Sequence, residues 1–319
     1  MVAVLPNELI GACLAYSQRS VLCVVARTSR ALQVEAELHL YQRIVIRTSQ
    51  SNQMYTTFCR RPQRALCVRT LEVSDPESSS VMLTLLLLKL PCLEDLMLET
   101  CNGIEAGASY PFRLRSITVT ADCDGLQPTD FARFLQRQDR LTRVILQISV
   151  DEDRHDALIA RAGAPGMLPQ LQTLRGPARL LAALVPGRPV QHVILQRFDT
   201  TEDELGAVFD ALSQSSKKVL SLDLRTCDGF DVIQRLAVVA PHLESLELMI
   251  PQHGLLEFVI QLEENSQPLL QHLKRFRLMF AVSGNWPFWR ANLESLTPPF
   301  KICFPSMTDY QTSYFPFGP

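Results

Sequence analysis

Leu243-Glu244-Ser245-Leu246-Glu247-Leu248 is the stretch that decides the fold, because its L-x-x-L-x-L phrase returns along most of the chain. Clear copies stand at Leu93-Glu94-Asp95-Leu96-Met97-Leu98, Leu114-Arg115-Ser116-Ile117-Thr118-Val119 and Leu141-Thr142-Arg143-Val144-Ile145-Leu146. Others begin at Val68, Val219 and Leu273, weaker ones cover 171–174, 190–195 and 293–296, and Ile44-Val45-Ile46 supplies a first strand. The alternation that closes each phrase is that of a strand, one side chain inward and the next outward. Between phrases the apolar spacing predicts helices over 129–138, 202–213, 230–239 and 255–263. Pro91, Pro169 and Pro241 stand just ahead of Leu93, Leu171 and Leu243. Proline halts a helix and disfavours helical geometry in the residue before it, so each one re-sets the chain for extension. The run 81–90 is apolar nearly throughout but about half the length that spans a bilayer, and it reads as a buried helix. Strand and helix in alternation give an α/β architecture of parallel strands with helices on the opposite flank, each unit burying its apolar edge against its neighbours.

The interval between phrases, roughly 20 to 30 residues, resembles that of leucine-rich repeats. Cys101 and Cys227, after Leu98-Glu99-Thr100 and Leu224-Arg225-Thr226, are similar to the cysteine of some repeat types, whereas the regular repeat asparagine is mostly missing. The resemblance implies a curved, irregular solenoid with parallel strands inside and helices on the outer face. A generic α/β domain with a regular parallel sheet is the alternative. In a solenoid, alternate strand residues project onto the concave face, which makes Glu72, Asp95, Met97, Arg143, Asp223, Glu247, Arg275 and Arg277 the candidates for contacting a protein substrate. Thr70, Ser116, Thr118, Ile145, Ser221 and Ser245 share that face. Its signs are patterned, with Glu72, Asp95 and Glu99 toward one end and Arg275 and Arg277 toward the other.

Ahead of the repeats, 1–46 reads as three helices. Pro6 suits a first helical turn, and Glu8 complements the positive helix end. Leu9, Ile10, Cys13 and Leu14 then form one stripe. Ser20 is positioned to cap a second helix whose run Val21-Leu22-Cys23-Val24-Val25-Ala26 is apolar enough to predict burial nearly all round. Thr28 or Ser29 is positioned to cap a third, carried by Leu32, Ala36 and Leu40 and ending at Tyr41.

Leu5-Pro6, Glu8-Leu9-Ile10, Leu22, Val25-Ala26-Arg27, Ser29-Arg30 and Leu40-Tyr41 together resemble an F-box in order and spacing. The resemblance implies an adaptor-binding module that packs on the Skp-type adaptor of a cullin-RING (SCF) ubiquitin ligase, and through it on the cullin. Leu5, Pro6, Leu9, Ile10, Leu22 and Val25 would then face the adaptor, while Leu32, Leu38 and Leu40 face the repeats. The implied organisation is an adaptor-binding module over 1–46, a repeat solenoid over 47–284, and a last repeat with an aromatic, proline-rich cap over 285–319. In that tail Trp286, Phe288, Trp289, Phe300, Phe304, Tyr310, Tyr314, Phe315 and Phe317 are interleaved with six prolines, which predicts irregular backbone covering the open apolar end of the stack.

Composition narrows the function. The 319 residues are 47% hydrophobic and 20% charged, an ordinary globular balance, and a formal net charge of -2 lacks the electrostatic footprint of a nucleic-acid binder. Nine cysteines without a C-x-x-C pair, and no signal-peptide-like start, point to reduced thiols in cytosol or nucleus rather than to a membrane or secreted protein. No G-x-x-x-x-G-K-[ST], G-x-G-x-x-G or G-x-S-x-G is present, and the six histidines form no H-x-x-x-H pair. Asp151-Glu152-Asp153 with His155 and Asp156 lacks the alternating ligands and glycine of a calcium loop and reads as a solvated loop. The expectation is a non-enzyme without metal or cofactor that recognises a protein substrate for an SCF-type ligase. A ligase-independent repeat scaffold, its N-terminal helices serving only as a cap, is the alternative.

Overall fold

The computed structural model describes residues 7–47, 50–74, 80–99, 104–105, 107–120, 128–147, 159–161, 163–164, 166–196, 200–224, 229–251, 254–265, 267–282 and 297–316. The chain divides into two compact units, Met1–Leu141 with Ile148–Val150, and Thr142–Gln147 with Asp151–Pro319.

The first unit opens with three helices, α1 (Asn7–Ala15), α2 (Arg19–Thr28) and α3 (Arg30–Gln42). It continues through β1 (Arg43–Arg47), α4 (Ser51–Arg60), α5 (Pro62–Cys67), β2 (Thr70–Ser74), α6 (Ser80–Leu87), β3 (Asp95–Leu98), β4 (Ser116–Val119) and α7 (Pro128–Gln136). The strands are parallel in the order β1-β2-β3-β4, and their register stacks Ile44, Leu71, Leu96 and Ile117 in one column and Ile46, Val73, Leu98 and Val119 in the next. Every member of both columns is buried. Side chains on one pleat face must line up across a register this regular, so the repeated leucines become a continuous core. Leu83, Leu86 and Leu87 on α6 are buried too, whereas Val81 and Leu88 of the same apolar run are exposed and the helix stops at Leu87, so the expected buried helix over 81–90 holds only in part.

The second unit carries β5 (Arg143–Leu146), β6 (Thr173–Gly176), β7 (His192–Leu195), β8 (Ser221–Leu224), β9 (Ser245–Pro251), β10 (Arg275–Val282) and β11 (Asp309–Pro316), again parallel and in sequence order. Its core column runs Val144, Leu174, Val193, Leu222, Leu246 and Phe276, all buried. Helices Ala178–Leu184, Glu202–Ser213, Phe230–Val239, Leu255–Glu264 and Thr297–Cys303 lie between strands. They match the sequence expectation to within a residue or two wherever one was made. The start of Glu202–Ser213 is set by a reciprocal cap, in which Thr201 Oγ1 accepts from Glu204 N–H and Glu204 Oε2 accepts from Thr201 N–H.

Arg188 fastens the β6–β7 region. It is 6% exposed, and its guanidinium donates to the carbonyls of Met167 (2.7 Å), Leu184 (3.0 Å), Ala164 (3.2 Å), Ala183 (3.2 Å) and Pro186 (3.3 Å). Burial pushes its pKa below the usual arginine value. Ala183 and Leu184 close a helix whose last carbonyls carry partial negative charge, which offsets part of the cost of burying the cation. The turn it grips contains Gly166 (φ 82) and the buried Leu168 (φ 51), a left-handed conformation that a leucine holds only when its surroundings enforce it.

Three local expectations need correction. Helix α2 starts at Arg19 with Gln18 as its cap, so Ser20 is no cap; Ser29 does occupy the α3 cap position, but without a side-chain hydrogen bond. The α2 run is not buried all round, since Leu22 is buried while Val21, Cys23 and Val24 are exposed. The tail is not irregular over its described part. Pro298 and Pro299 sit in the first turn of Thr297–Cys303, where a missing N–H costs no intrahelical bond, and the following segment pairs with β10 from Asp309 onward. Phe300 and Phe304 are fully buried, with ring centroids 5.3 and 5.2 Å from Phe276, and Phe300 lies 4.8 Å from Tyr310. Trp286, Phe288, Trp289, Phe317, the phrase at 293–296 and the acidic run at 151–156 lie outside the described residues.

Candidate functional site

The N-terminal helices bury a small core of Leu14, Leu22 and Ala36, with Ile10, Val25, Ala26 and Leu40 packed against it. Helix α1 approaches α3 closely enough that a Cβ at Gly11 would lie 2.7 Å from Glu35 Oε1. Among the six residues read as adaptor-facing, Leu5 and Pro6 lie outside the described residues. Leu9 is 52% exposed, Ile10 and Val25 are half-buried at the core's edge, and Leu22, 5% exposed, belongs to the core itself.

Each helix nevertheless keeps an apolar stripe in solvent. Leu9 and Cys13 follow one another at helical spacing on α1, with Tyr16 just past its end; Val21 and Val24 do so on α2, and Val34 and Leu38 on α3. Val24 is 61% exposed and Val34 74% exposed. Sequence reading missed Val21 and Val24 because the run 21–26 is apolar on both faces, and only the contact of α2 with α3 selects the inner one. Leu38, expected to face the repeats, is exposed instead, whereas Leu40 serves the helical core.

Helix α3 is fixed to the first repeat by charge and rings. Glu37 accepts from Arg64 at 2.5 Å and from Gln33 at 2.9 Å, with Arg61 at 3.7 Å. The Arg64 hydrogen bond holds the Glu37 carboxyl below the usual glutamate range, against the opposing effect of burial. Arg64 also lies 4.9 Å from the centre of the Tyr41 ring, which meets Phe58 edge-on at 6.3 Å.

The outward strand residues form rows along the register. In the first unit Glu72 pairs with Arg43 at 3.1 Å, Thr70 donates to Asp95 at 3.5 Å, and Met97, 39% exposed, stands beside Glu72. In the second unit one row reads Ile145, Arg175, Ile194, Asp223, Glu247, Arg277 and the other Arg143, Thr173, His192, Ser221, Ser245, Arg275. Glu247 lies 3.7 Å from Arg277. The polarity read from sequence therefore changes meaning, because Glu72 and Glu247 are each matched by an arginine on an adjacent strand. Arg143 and Arg275 are exposed and make no ion pair with another of the described residues. Thr118 and Ile145 are buried, so they do not extend the exposed face. Arg175, half-buried, stands in the same row although its phrase at 171–174 is weak; its equivalence to Ile145 is the signal for it.

Among the described residues no group of three or more His, Cys, Asp or Glu could hold a metal ion. An open cleft of about 450 Å³ is lined by Lys217, Lys218, His242 and serines, without a carboxylate. Among the described residues no helix is long and apolar enough to cross a membrane.

No family model matches the chain, and no curated protein matches it. Among solved structures, the crystal structure of the Rad7 and Elc1 complex in yeast is similar over 95% of this chain and 87% of that one, at 14% identity and a TM-score of 0.44. A likeness at that level identifies neither a family nor a function.

Proposed function

We propose that the chain is a substrate-recognition subunit of an SCF-type ubiquitin ligase, acting in cytosol or nucleus. The N-terminal helices dock a Skp-type adaptor, and the outward strand rows bind a protein substrate. The observation that carries this reading is the set of apolar stripes left in solvent on α1 and α2, on a module whose sequence resembles an F-box. Several large apolar side chains left in solvent on a module with so small a core are the pattern of a surface completed by a partner. Catalysis would come from holding a substrate near a conjugating enzyme brought by other subunits, so no residue here need be catalytic and no cofactor is required.

The test is co-purification of full-length chain with a Skp-type adaptor. Leu9→Asp with Val24→Asp removes two exposed apolar contacts without touching the core, so adaptor capture is lost while the circular dichroism spectrum stays unchanged. Retained capture by that double variant overturns the proposal. The competing scaffold reading draws on the Glu37–Arg64 pair and the Tyr41–Phe58 contact, which make α3 a cap on the first repeat. It expects no adaptor capture at all, and aggregation when residues 1–40 are deleted.

A further inference from the structure

Cys67 and Cys92 occupy the same place in consecutive repeats. The register pairs Thr70 with Asp95, and the equivalence runs back through both preceding turns, where Val68 N–H donates to Ala65 O at 3.3 Å and Leu93 N–H to Leu90 O at 3.4 Å. Val68 and Leu93 are buried, which anchors the two turns in the core alike. The Arg69 carbonyl accepts from both Glu94 N–H and Asp95 N–H, at 2.8 and 2.9 Å, and Arg69 Nη1 donates to the Cys92 carbonyl at 3.2 Å. The backbones carrying the two cysteines are thus locked side by side. Cys67, at the end of α5, and Cys92, in the turn before β3, each stand three residues ahead of the paired Thr70 and Asp95. Paired strands lie about 4.8 Å apart, so a stacking that holds three residues further back brings the two Cα atoms within the roughly 4.4–6.8 Å that a disulfide spans.

Both thiols are half-buried and free. Cys67 donates weakly to Gln63 O at 3.5 Å on its own helix. Its pKa is raised by burial, with the Glu37 carboxylate adding to the effect, the Arg69 guanidinium opposing it and Cys92 contributing least. Among the described cysteines, none of Cys13, Cys23, Cys59 and Cys303 occupies a position equivalent to that of another cysteine in a neighbouring repeat.

We propose that Cys67 and Cys92 form a redox-modifiable pair that closes to a disulfide staple between neighbouring repeats, the oxidant being a small disulfide of the glutathione class. One thiolate attacks the small disulfide and expels one thiolate of it; the second protein thiolate then attacks the mixed disulfide and expels the other. Two protein thiols are oxidised and one small disulfide is reduced to two thiols. The staple closes at the end of α5, the helix whose Arg64 holds Glu37 of the N-terminal module, so oxidation stiffens the support on which α3 rests. This inference does not depend on the ligase reading.

The experiment treats the folded full chain with oxidised glutathione, blocks remaining thiols with N-ethylmaleimide, and digests with trypsin and a glutamate-specific protease. Mass spectrometry is expected to find peptides 65–69 and 90–94 joined as the dominant disulfide. The link should vanish in Cys67→Ser and in Cys92→Ser, vanish on reduction, and give way to statistical pairing when oxidation is carried out in urea. Glutathione or maleimide on both cysteines without the link overturns the proposal, as does a link no more abundant in the folded chain than in urea.

Discussion

Arg188→Met should destabilise the second unit by about 3 kcal/mol. Among the described residues the guanidinium reaches five backbone carbonyls, but Nη1 divides two hydrogens among three of them, so the clamp amounts to roughly four full hydrogen bonds. At about 0.5–1.5 kcal/mol net for each, the gross loss is about 2–6 kcal/mol. Methionine keeps most of the apolar stem and removes the penalty of a buried cation, which returns part of that sum. Arg188→Lys retains the charge but offers three donors on a compact, strongly hydrated ammonium, and should cost about 2 kcal/mol. The assay is the urea midpoint of the full chain at constant m-value, followed by segment-resolved hydrogen exchange over 163–168 and 183–190. Hydrogen bonds from Val190 N–H and Ser216 N–H to the Arg188 carbonyl survive either change, so losses concentrated at 163–168 report on the side chain alone. Arg188→Met within about 0.5 kcal/mol of wild type, the range of an ordinary surface change, would refute the reasoning.

The Glu37–Arg64 tie yields a pH-dependent prediction. Because the folded carboxyl titrates below its unfolded value, its contribution is present in full above the unfolded pKa and disappears as pH falls through the folded one. Glu37→Gln should therefore cost about 1–2 kcal/mol at neutral pH, and its urea midpoint should converge on that of wild type as pH drops below about 4; a gap that stays constant to acid pH would show that the charge is irrelevant. Core and surface should separate on α2, with Leu22→Ala costing about 2–4 kcal/mol and Val24→Ala within about 0.5 kcal/mol, read from thermal or urea melts. Equal costs for the two would contradict the packing described.

What the sequence by itself determined was the repeating unit. The leucine phrase, the helical spacings and the prolines ahead of the strands act over a few residues, and each repeat buries its apolar edge against its nearest neighbours. The strand positions from Thr70 to Leu278 could therefore be read locally. Tertiary structure decided everything that depends on which of two acceptable faces turns inward. Val21 and Val24 are as apolar as Leu22, and only α3 chooses among them. Asp309-Tyr310-Gln311-Thr312 carries no leucine phrase, and it becomes a strand because β10 offers an unpaired edge and Phe276 a ring to stack against. Arg188 carries no sequence signal, since the carbonyls that hold it come together only when the turn at 164–168 meets the end of the Ala178–Leu184 helix. The candidate partner surface was half legible for the same reason. Composition placed apolar residues on the N-terminal helices, but burial inside the small core took Leu22 out of reach and left Leu9, Val21 and Val24 exposed.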